Sequence, residues 1–136
     1  MANGIKTMDV GAKRKTPKIL LVDDEPGIQF GFSRYLSKMG FVVRESGSLA
    51  DAVDALSKES FDGIILDVNL PDGSGLDWIA GLRRRYPDMT IVVMTGSGDS
   101  GLAIESILRG ADDFLRKPVS MEDLTVCLRR SLHNEF

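Results

Sequence analysis

The sequence predicts an α/β domain: a parallel sheet of five strands covered by helices on both faces. Short apolar runs alternate with amphipathic stretches, three of the runs are continuously apolar, and turn-forming residues separate them. Continuously apolar strands are typical of a sheet that is buried on both sides. Strands that alternate with helices favour right-handed βαβ crossovers, and therefore a three-layer sandwich.

The predicted strands and helices alternate along the chain. The predicted strands are Ile19–Val22, Phe41–Val43, Ile64–Leu66, Ile91–Met94 and the weaker Phe114–Leu115. Apolar side chains at a spacing near 3.6 predict helices over Ile28–Met39, Leu49–Leu56, Leu76–Leu82, Leu102–Leu108 and Met121–Leu132. Pro26 suits a first helical turn, Gly40 and Gly110 suit helix ends, and Leu70-Pro71-Asp72-Gly73 predicts a turn.

The length and charge of the chain limit its organisation. Its 136 residues fit one domain of the usual ~100–200 residues. Residues 1–17 lack an apolar period and are predicted to be a flexible basic arm of charge +3, before a domain over 18–133 and a tail over 134–136. Residues 18–136 carry 13 basic and 19 acidic side chains, or −6, and the overall charge of −3 argues against direct nucleic-acid binding.

The single cysteine, Cys127, excludes an internal disulfide and favours a reducing compartment. It shares a helical stripe with Leu124 and Leu128, which predicts a buried, unreactive thiol. The chain shows neither an apolar leader nor a run near the ~18 residues that a membrane span needs. We therefore expect a cytoplasmic protein that is not attached to a membrane.

Polar residues follow four of the predicted strands. Asp23, Asp24 and Glu25 follow the first, Asp67 the third, Thr95-Gly96-Ser97 the fourth and Lys117-Pro118 the fifth. In an open parallel sheet these positions lie together beyond the strand ends, where ligands bind. Clustered carboxylates without His or Cys point to Mg²⁺. The lysine, the Thr95 hydroxyl and the Gly96 N–H would complete a phosphoryl site, in which a carboxylate is a feasible acceptor.

These residues carry a resemblance to a known family. VDDE at 22–25, IILDVNLPDGSGL at 64–76, VMTG at 93–96 and GADDFLRKP at 110–118 resemble the receiver domain of bacterial two-component response regulators. The resemblance runs from about Lys18 to Leu132. It implies a flavodoxin-like (βα)5 fold with strand order 2-1-3-4-5, and a role in phosphorelay signal transduction.

The resemblance also implies a role for each site residue. Asp67 would be the phosphoacceptor and Lys117 would pair with the phosphoryl oxygens. Asp24, Asp67 and the backbone carbonyl of Asn69 would bind Mg²⁺ directly, with Asp23 acting through water.

Four further residues would form or accompany the switch. Thr95 and the Gly96 N–H would bond the phosphoryl group, and Phe114 would be the aromatic switch residue. Pro118 would follow a cis peptide that aims Lys117 at the site. The small polar residues Asn69 and Ser97 favour loss of the phosphoryl group within minutes.

The resemblance implies partners as well. A histidine kinase or histidine phosphotransfer protein would donate the phosphoryl group. The face of the fourth helix, fifth strand and fifth helix would control an output partner or a missing effector domain, with transcription one output, or would form a homodimer. The single histidine, His133, has no context of a kinase histidine.

Other functions compete with this one. A pseudo-receiver would bind partners without phosphorylation. A flavodoxin-like electron carrier would share the topology, but three acidic residues after the first strand would repel a flavin phosphate. An aspartate-nucleophile phosphatase would need a general acid where Asn69 stands, so turnover of outside substrates is not expected.

Two charged groups permit more than one interpretation. Arg83-Arg84-Arg85 are predicted to complement the C-terminal end of the third helix rather than to bind phosphate. Asp112-Asp113 with Arg129 or Arg130 would form ion pairs across a dimer, or would be solvated surface charges.

Overall fold

The computed structural model describes residues 16–96 and 100–132. Most of the predicted arm, Ser97, His133 and the predicted tail 134–136 lie outside these residues. Five strands form one parallel sheet: β1 (Lys18–Val22), β2 (Val42–Ser46), β3 (Gly63–Asp67), β6 (Thr90–Thr95) and β7 (Asp113–Arg116). Their order is β2-β1-β3-β6-β7. Apart from a short hairpin of β4 (Asn69–Leu70) and β5 (Gly73–Ser74), this confirms the predicted 2-1-3-4-5 topology.

Five helices cover the two faces of the sheet. They are α1 (Pro26–Lys38), α2 (Leu49–Lys58), α3 (Gly75–Arg85), α4 (Ser100–Arg109) and α5 (Met121–Ser131). Side chains of α1 and α5 pack on one face, and those of α2 and α3, with Leu102 of α4, pack on the other. The three-layer sandwich predicted from the alternating pattern is confirmed.

Strand alternation divides the core between these faces. In β1, Ile19 and Leu21 point to the α1 and α5 side, whereas Leu20 and Val22 point to the α2 and α3 side, and all four are fully buried. Successive side chains of a strand lie on opposite faces, so a continuously apolar strand supplies both cores. This is why the continuously apolar runs identified the interior strands.

The second strand lies further along the chain than predicted. Phe41 precedes β2, although its side chain is buried, and the strand continues through Arg44 and Glu45 to Ser46. An edge strand has one partner and is partly open to solvent, so polar residues extend the ladder after the apolar run ends. The apolar run therefore located this strand but not its bounds.

Turn chemistry agrees with the backbone. Pro26 opens α1, and Gly40 and Gly110 follow α1 and α4 with φ of 100° and 122°. Gly73, at the end of the predicted turn, has φ of 153°. Such angles are costly for residues with a Cβ.

The acidic pair at the start of β7 bonds within the chain. Asp113 pairs with Arg130, and Asp112 accepts a bond of 2.7 Å from Arg83. The structure thus forms the ion pair of Asp113 with Arg130 within one chain, and it gives Asp112 a partner, Arg83, that neither interpretation of the sequence had supplied. Among the described residues, no helix combines the length and apolar character needed to cross a membrane.

Cys127 provides a test of the core on the α5 side. It is buried, and burial together with the nearby charge of Asp113, whose Oδ2 accepts a bond from the thiol, raises its pKa to about 12. We expect no reaction with an aromatic disulfide reagent at pH 8 in the folded protein, because the thiolate is the reactive form. Stoichiometric reaction is expected after unfolding in guanidinium, followed by absorbance. Rapid labelling of the folded protein would contradict this packing.

Candidate functional site

The predicted site residues meet at one edge of the sheet. Asp23 follows β1, Asp67 ends β3, Thr95 ends β6 and Lys117 follows β7. All these strands run in the same direction, so their carboxyl ends open onto a common crevice. Residues far apart in the sequence therefore become neighbours.

Three carboxylates form the acidic part of the site. Asp23, Asp24 and Asp67 each place an oxygen within 4.8 Å of the others. Asp23 and Asp67 are buried, with exposed fractions of 0% and 3%, whereas Asp24 is exposed. Two negative charges that are almost without solvent need a positive partner within the protein.

Lys117 is that partner. Its Nζ lies 2.8 Å from Asp67 Oδ2, 3.0 Å from Asp23 Oδ2 and 3.0 Å from Glu25 Oε1. The contacts with Asp67 and Glu25 are hydrogen bonds, whereas Asp23 Oδ2 is close but poorly aligned and forms an ion pair only. One ammonium group thus neutralises part of a cluster with a larger negative charge.

The pKa values reflect this arrangement. Burial raises the pKa of Asp23, and the charge of Asp67 adds to that rise against the Glu25 N–H and Lys117. Burial also acts to lower the pKa of Lys117, but its contacts with the carboxylates of Asp67, Asp23 and Glu25 outweigh this and raise it. Lys117 is therefore firmly protonated, while the carboxylates retain unbalanced charge.

Backbone contacts fix the first acidic loop. The Asp23 N–H donates to the Ser46 carbonyl at 3.0 Å, and Asp23 Oδ1 accepts from the Glu25 N–H at 2.8 Å. The Gln29 side chain donates from Nε2 to the Asp23 carbonyl at 2.7 Å. Bonds from both flanks hold Asp23 in place, so its position does not depend on a ligand.

Asp67 is held by the segment that follows it. Its Oδ1 accepts from the Asn69 N–H at 3.0 Å. Asp72, in the turn of the β4–β5 hairpin, accepts from the N–H groups of Leu49 and Ala50 at 2.9 and 3.0 Å. Because Asp72 caps α2 in this way, it also fixes the hairpin that carries Asn69.

Gly75 allows α3 to begin directly against the acceptor strand. A Cβ at this position would lie 2.5 Å from the Asp67 carbonyl oxygen and 3.1 Å from the Val68 Cα. The Gly75 N–H donates to the Val68 carbonyl at 2.8 Å. Only a residue without a side chain fits so close to the backbone of Asp67.

Thr95, the last residue of β6, carries a buried group that lacks a partner among the described residues. Its side chain is fully buried, and Oγ1 forms no hydrogen bond within the described residues. A buried hydroxyl without a partner is costly, and such an exception calls for an explanation, of which a catalytic role is one. Gly96, next in the chain, is partly exposed.

Lys117, the first residue after β7, is positioned by the backbone of the neighbouring strand β6. The Lys117 N–H donates to the Thr95 carbonyl at 2.8 Å, and the Lys117–Pro118 peptide is cis. Phe114 is partly buried against the core on the α2 and α3 side, and the Arg116 guanidinium lies 5.9 Å from its ring centroid. Phe114 thus lies in β7, the strand that ends directly before Lys117.

The structure therefore brings together Asp23, Asp24, Asp67, Thr95 and Lys117, and adds residues that sequence reasoning had not given a role. Glu25 was seen only as part of an acidic run, and its bond to Lys117 was not foreseen. Gln29, Asp72 and Gly75 act through backbone contacts. Only Gly75 had a signal, since a glycine where a helix begins indicates close backbone packing.

The donor set suits a hard cation. The oxygens that the structure places together are those of three carboxylates, with no His or Cys among the described residues of the cluster. Mg²⁺ takes one or two carboxylates and keeps several waters. Excess negative charge around Lys117 adds an electrostatic reason for a cation here.

A scan against protein families matches residues 19–129 to the response regulator receiver domain. The chain belongs to this family. The match covers every strand that contributes to the site, as well as the acidic cluster and Lys117. The resemblance seen in the sequence is thereby confirmed.

Relatives and solved structures agree with the family. The chain is 38% identical over 104 residues to the response regulator protein PilR of Pseudomonas aeruginosa, covering 76% of this chain and 23% of PilR. It is 36% identical over 115 residues to the alginate biosynthesis transcriptional regulatory protein AlgB of Pseudomonas putida, covering 85% and 26% of the two chains. The beryllofluoride-activated NtrC4 receiver domain dimer superposes with a TM-score of 0.81 at 31% identity, over 88% of this chain and 98% of that one.

These relatives are longer than this chain, which spans about a quarter of PilR and AlgB. The shared part is the receiver domain. This chain is a response regulator receiver domain, the module of two-component signal transduction.

Gly75 allows a stability test of the site. For Gly75→Ala we expect a loss of about 1–3 kcal/mol in the free energy of unfolding, because the new methyl group would overpack against the Asp67 carbonyl. Urea unfolding followed by circular dichroism measures the change.

Gly81→Ala is the matched control within the same helix. A Cβ at Gly81 would meet nothing within 4 Å, so we expect a gain of about 0.5–1 kcal/mol from helix propensity. Equal effects of the two substitutions would show that the backbone of Asp67 is not closely packed against α3.

Proposed function

We propose that this receiver domain accepts a phosphoryl group on Asp67 from the phosphohistidine of a histidine kinase or of a histidine phosphotransfer protein. One observation carries the proposal: a buried aspartate at the end of β3 lies between an acidic pair and a protonated lysine. The membership of this chain in the response regulator receiver family supports the proposal. The domain is proposed to extend over 18–133.

The transfer requires little of the protein beyond position and charge. An Asp67 carboxylate oxygen attacks phosphorus, forming an O–P bond while the P–N bond to the donor imidazole breaks. The imidazole leaves with the bonding electron pair and takes up a proton from solvent. Lys117 stabilises the charge on the phosphoryl oxygens, and its raised pKa keeps it positive.

Mg²⁺ is the proposed cofactor. Asp24, Asp67 and the Asn69 carbonyl would bind it directly, and Asp23 would act mainly through water. Bound there, it would supply charge neutralisation for the transferring group. The protein would catalyse only its own phosphorylation and dephosphorylation.

Thr95 and Gly96 are proposed to bind the phosphoryl group once it is attached to Asp67. The Thr95 hydroxyl and the Gly96 N–H would donate to phosphoryl oxygens, giving the buried hydroxyl the partner that it lacks. Phe114 would repack as Thr95 moves. Because phenylalanine has no hydroxyl, the change would be one of packing, and the phosphoryl group would act by shifting a two-state equilibrium.

The face of α4, β7 and α5 is the proposed output surface. It exposes Ile104, Ile107, Leu108 and Val126, which suits a partner protein, an output domain or a homodimer. The NtrC4 receiver domain is a dimer in its beryllofluoride-activated form, which supports the last of these. Since AlgB is named a transcriptional regulatory protein, we propose control of transcription, without direct nucleic-acid binding by this chain.

The buried free thiol of Cys127 supports the cytoplasm as the compartment in which this protein acts.

Asp67→Asn tests the acceptor. We expect the unaltered protein, incubated with Mg²⁺ and acetyl phosphate, to gain the mass of one phosphoryl group, and Asp67→Asn to gain none, because an amide oxygen is a poor nucleophile. Intact-mass spectrometry provides the measurement.

Asp88→Asn is the control, since Asp88 is exposed and lies in the loop between α3 and β6. It should be modified like the unaltered protein. An unaltered protein that gains no mass with verified donor and metal would favour a pseudo-receiver instead.

The lifetime of the phosphoryl group is a separate prediction. A phosphoryl half-life of many hours would contradict the loss within minutes predicted from Asn69 and Ser97.

Thr95→Val separates stability from signalling. The isosteric change removes a buried hydroxyl without a partner, so we expect the unmodified protein to be equally stable or about 1 kcal/mol more stable. The spectral change that beryllofluoride with Mg²⁺ induces should be much reduced, because the activating bond is missing. Thermal unfolding and amide NMR spectra measure the two effects, and a full beryllofluoride response would exclude Thr95 from the switch.

A further inference from the structure

A groove runs between α2 and α3 on one side of the sheet. It consists of a lower hollow of about 430 Å³ between the loops that follow α2 and α3, a middle hollow of about 270 Å³, and an upper hollow of about 380 Å³ near the starts of the two helices. Binding clefts commonly have volumes of about 300–1,000 Å³, so the groove can hold the side chains of a peptide. The lining of this α2–α3 groove includes Leu49, Val53, Leu56, Trp78, Arg85 and Tyr86.

Apolar side chains line the middle hollow. Leu56 and Leu82 are buried, whereas Val53 is 52% exposed and Trp78 and Tyr86 are partly exposed. Apolar side chains that stay open to solvent around a cleft are typical of a surface that binds a partner. The middle hollow therefore suits a segment that carries apolar side chains of its own.

The charges of the groove change along its length. Asp62 and Asp88 line the lower hollow and form no ion pair with a described residue, whereas Glu59 beside them is paired with two cations. Arg85 borders both the lower and the middle hollow and is exposed. A segment that fits this pattern is basic where it passes the lower hollow, and carries an acidic residue among apolar ones further on.

The described chain is attached to the fold beside the lower hollow. The Lys18 N–H donates to Asp62 Oδ2 at 2.7 Å, and Lys18 Nζ pairs with Glu59 and lies 5.3 Å from the centroid of the Phe61 ring. All three of these partners line the lower hollow. Residues 1–15, which precede the described chain, are therefore connected to the fold at this end of the α2–α3 groove.

The sequence of residues 1–15 follows the same order as the groove. Residues 13–15, nearest to the fold, are all basic, and before them Asp9 stands between the apolar residues Met8 and Val10. The eleven residues of α3 span about 17 Å at the usual helical rise, whereas ten residues of chain can span up to about 35 Å. The segment is therefore long enough to follow the groove from its lower to its upper hollow.

We propose that residues 1–15 bind in the α2–α3 groove of their own chain. In this arrangement the basic residues face the carboxylates of the lower hollow, Asp9 faces Arg85, and the apolar neighbours of Asp9 enter the middle hollow. Attachment to the fold gives the segment an effective concentration in the millimolar range at the groove, so contacts too weak to hold a separate peptide are sufficient.

The groove is separate from the proposed output surface. It is formed by α2 and α3, whereas the proposed output surface is formed by α4, β7 and α5. The bound segment therefore covers an apolar surface without covering the output surface. The proposal does not depend on phosphorylation of Asp67.

A nitroxide attached through Thr7→Cys tests where the segment lies. Cys127 is buried with its pKa raised to about 12, so the reagent should modify only the introduced thiol. We expect paramagnetic broadening of amide NMR signals over α2 and α3 and of the Trp78 indole signal, and little over α1 and α5, which pack on the other face of the sheet. Equal broadening on both faces, or none over α2 and α3, would overturn the proposal.

A mixed sample distinguishes binding within one chain from binding to a second copy. Isotope-labelled protein without the nitroxide is mixed with unlabelled protein that carries it. We expect no broadening over α2 and α3 of the isotope-labelled protein. Broadening there as strong as in the directly modified protein would assign the segment to a second copy, and would contradict binding within one chain.

Val53→Lys tests the groove itself. It removes an apolar contact and places a positive charge beside a basic segment, so we expect the broadening over α3 to fall at least about twofold. Val126→Lys is the matched control, because Val126 is a helical valine of similar exposure, 58% against 52%, in α5. It makes the same change of charge away from the groove and should leave the broadening unchanged. Equal loss in the two variants would show that net charge alone holds the segment, against the proposal.

Discussion

The contact of one ammonium group with three carboxylates is the interaction on which the rest of this site depends. Lys117 follows β7, whereas Asp23 follows β1 and Asp67 ends β3. The lysine must therefore cross the end of β6 to reach them, and it does so only if the strands end at matching heights. Since leaving two buried carboxylates without a cation would be strongly destabilising, the register of the sheet and the charges of the site stabilise each other.

Even with that contact, the site keeps an excess of negative charge. Asp23, Asp24, Asp67 and Glu25 present more negative charge than Lys117 neutralises, and the pKa of Asp23 is raised by burial and by Asp67. A phosphoryl group adds further negative charge, so the site suits an anionic substrate only together with another cation. The same imbalance that makes a cation favourable thus links cation binding to phosphoryl transfer.

Sequence reasoning predicted the residues whose chemistry determines the site, and missed those that act through the backbone. Asp67 and Lys117 could be placed because the ends of apolar strands are visible in the sequence and converge in a parallel sheet. Arg83 was interpreted from its nearest neighbours, as a complement to the end of its own helix. Its bonds to Gly110 and Asp112 depend on how two loops far apart in sequence pack together, and no local periodicity encodes that. Phe41 shows the same limit, because it is buried without belonging to the strand that its apolar run predicted.

Thr95 and Arg83 differ in how fully their polar groups are hydrogen-bonded among the described residues. Thr95 keeps a buried hydroxyl without a partner in the described structure, whereas Arg83 donates to five acceptors and Asp112 bonds to β6 through its backbone and its side chain. A ligand can shift an equilibrium only by the difference in its interactions with two states, and a phosphoryl group gains such a difference where a donor is still unpaired. The groups around Arg83 already have partners and offer no comparable gain. A phosphoryl group on Asp67 would therefore gain a new hydrogen bond at Thr95 rather than at the groups around Arg83.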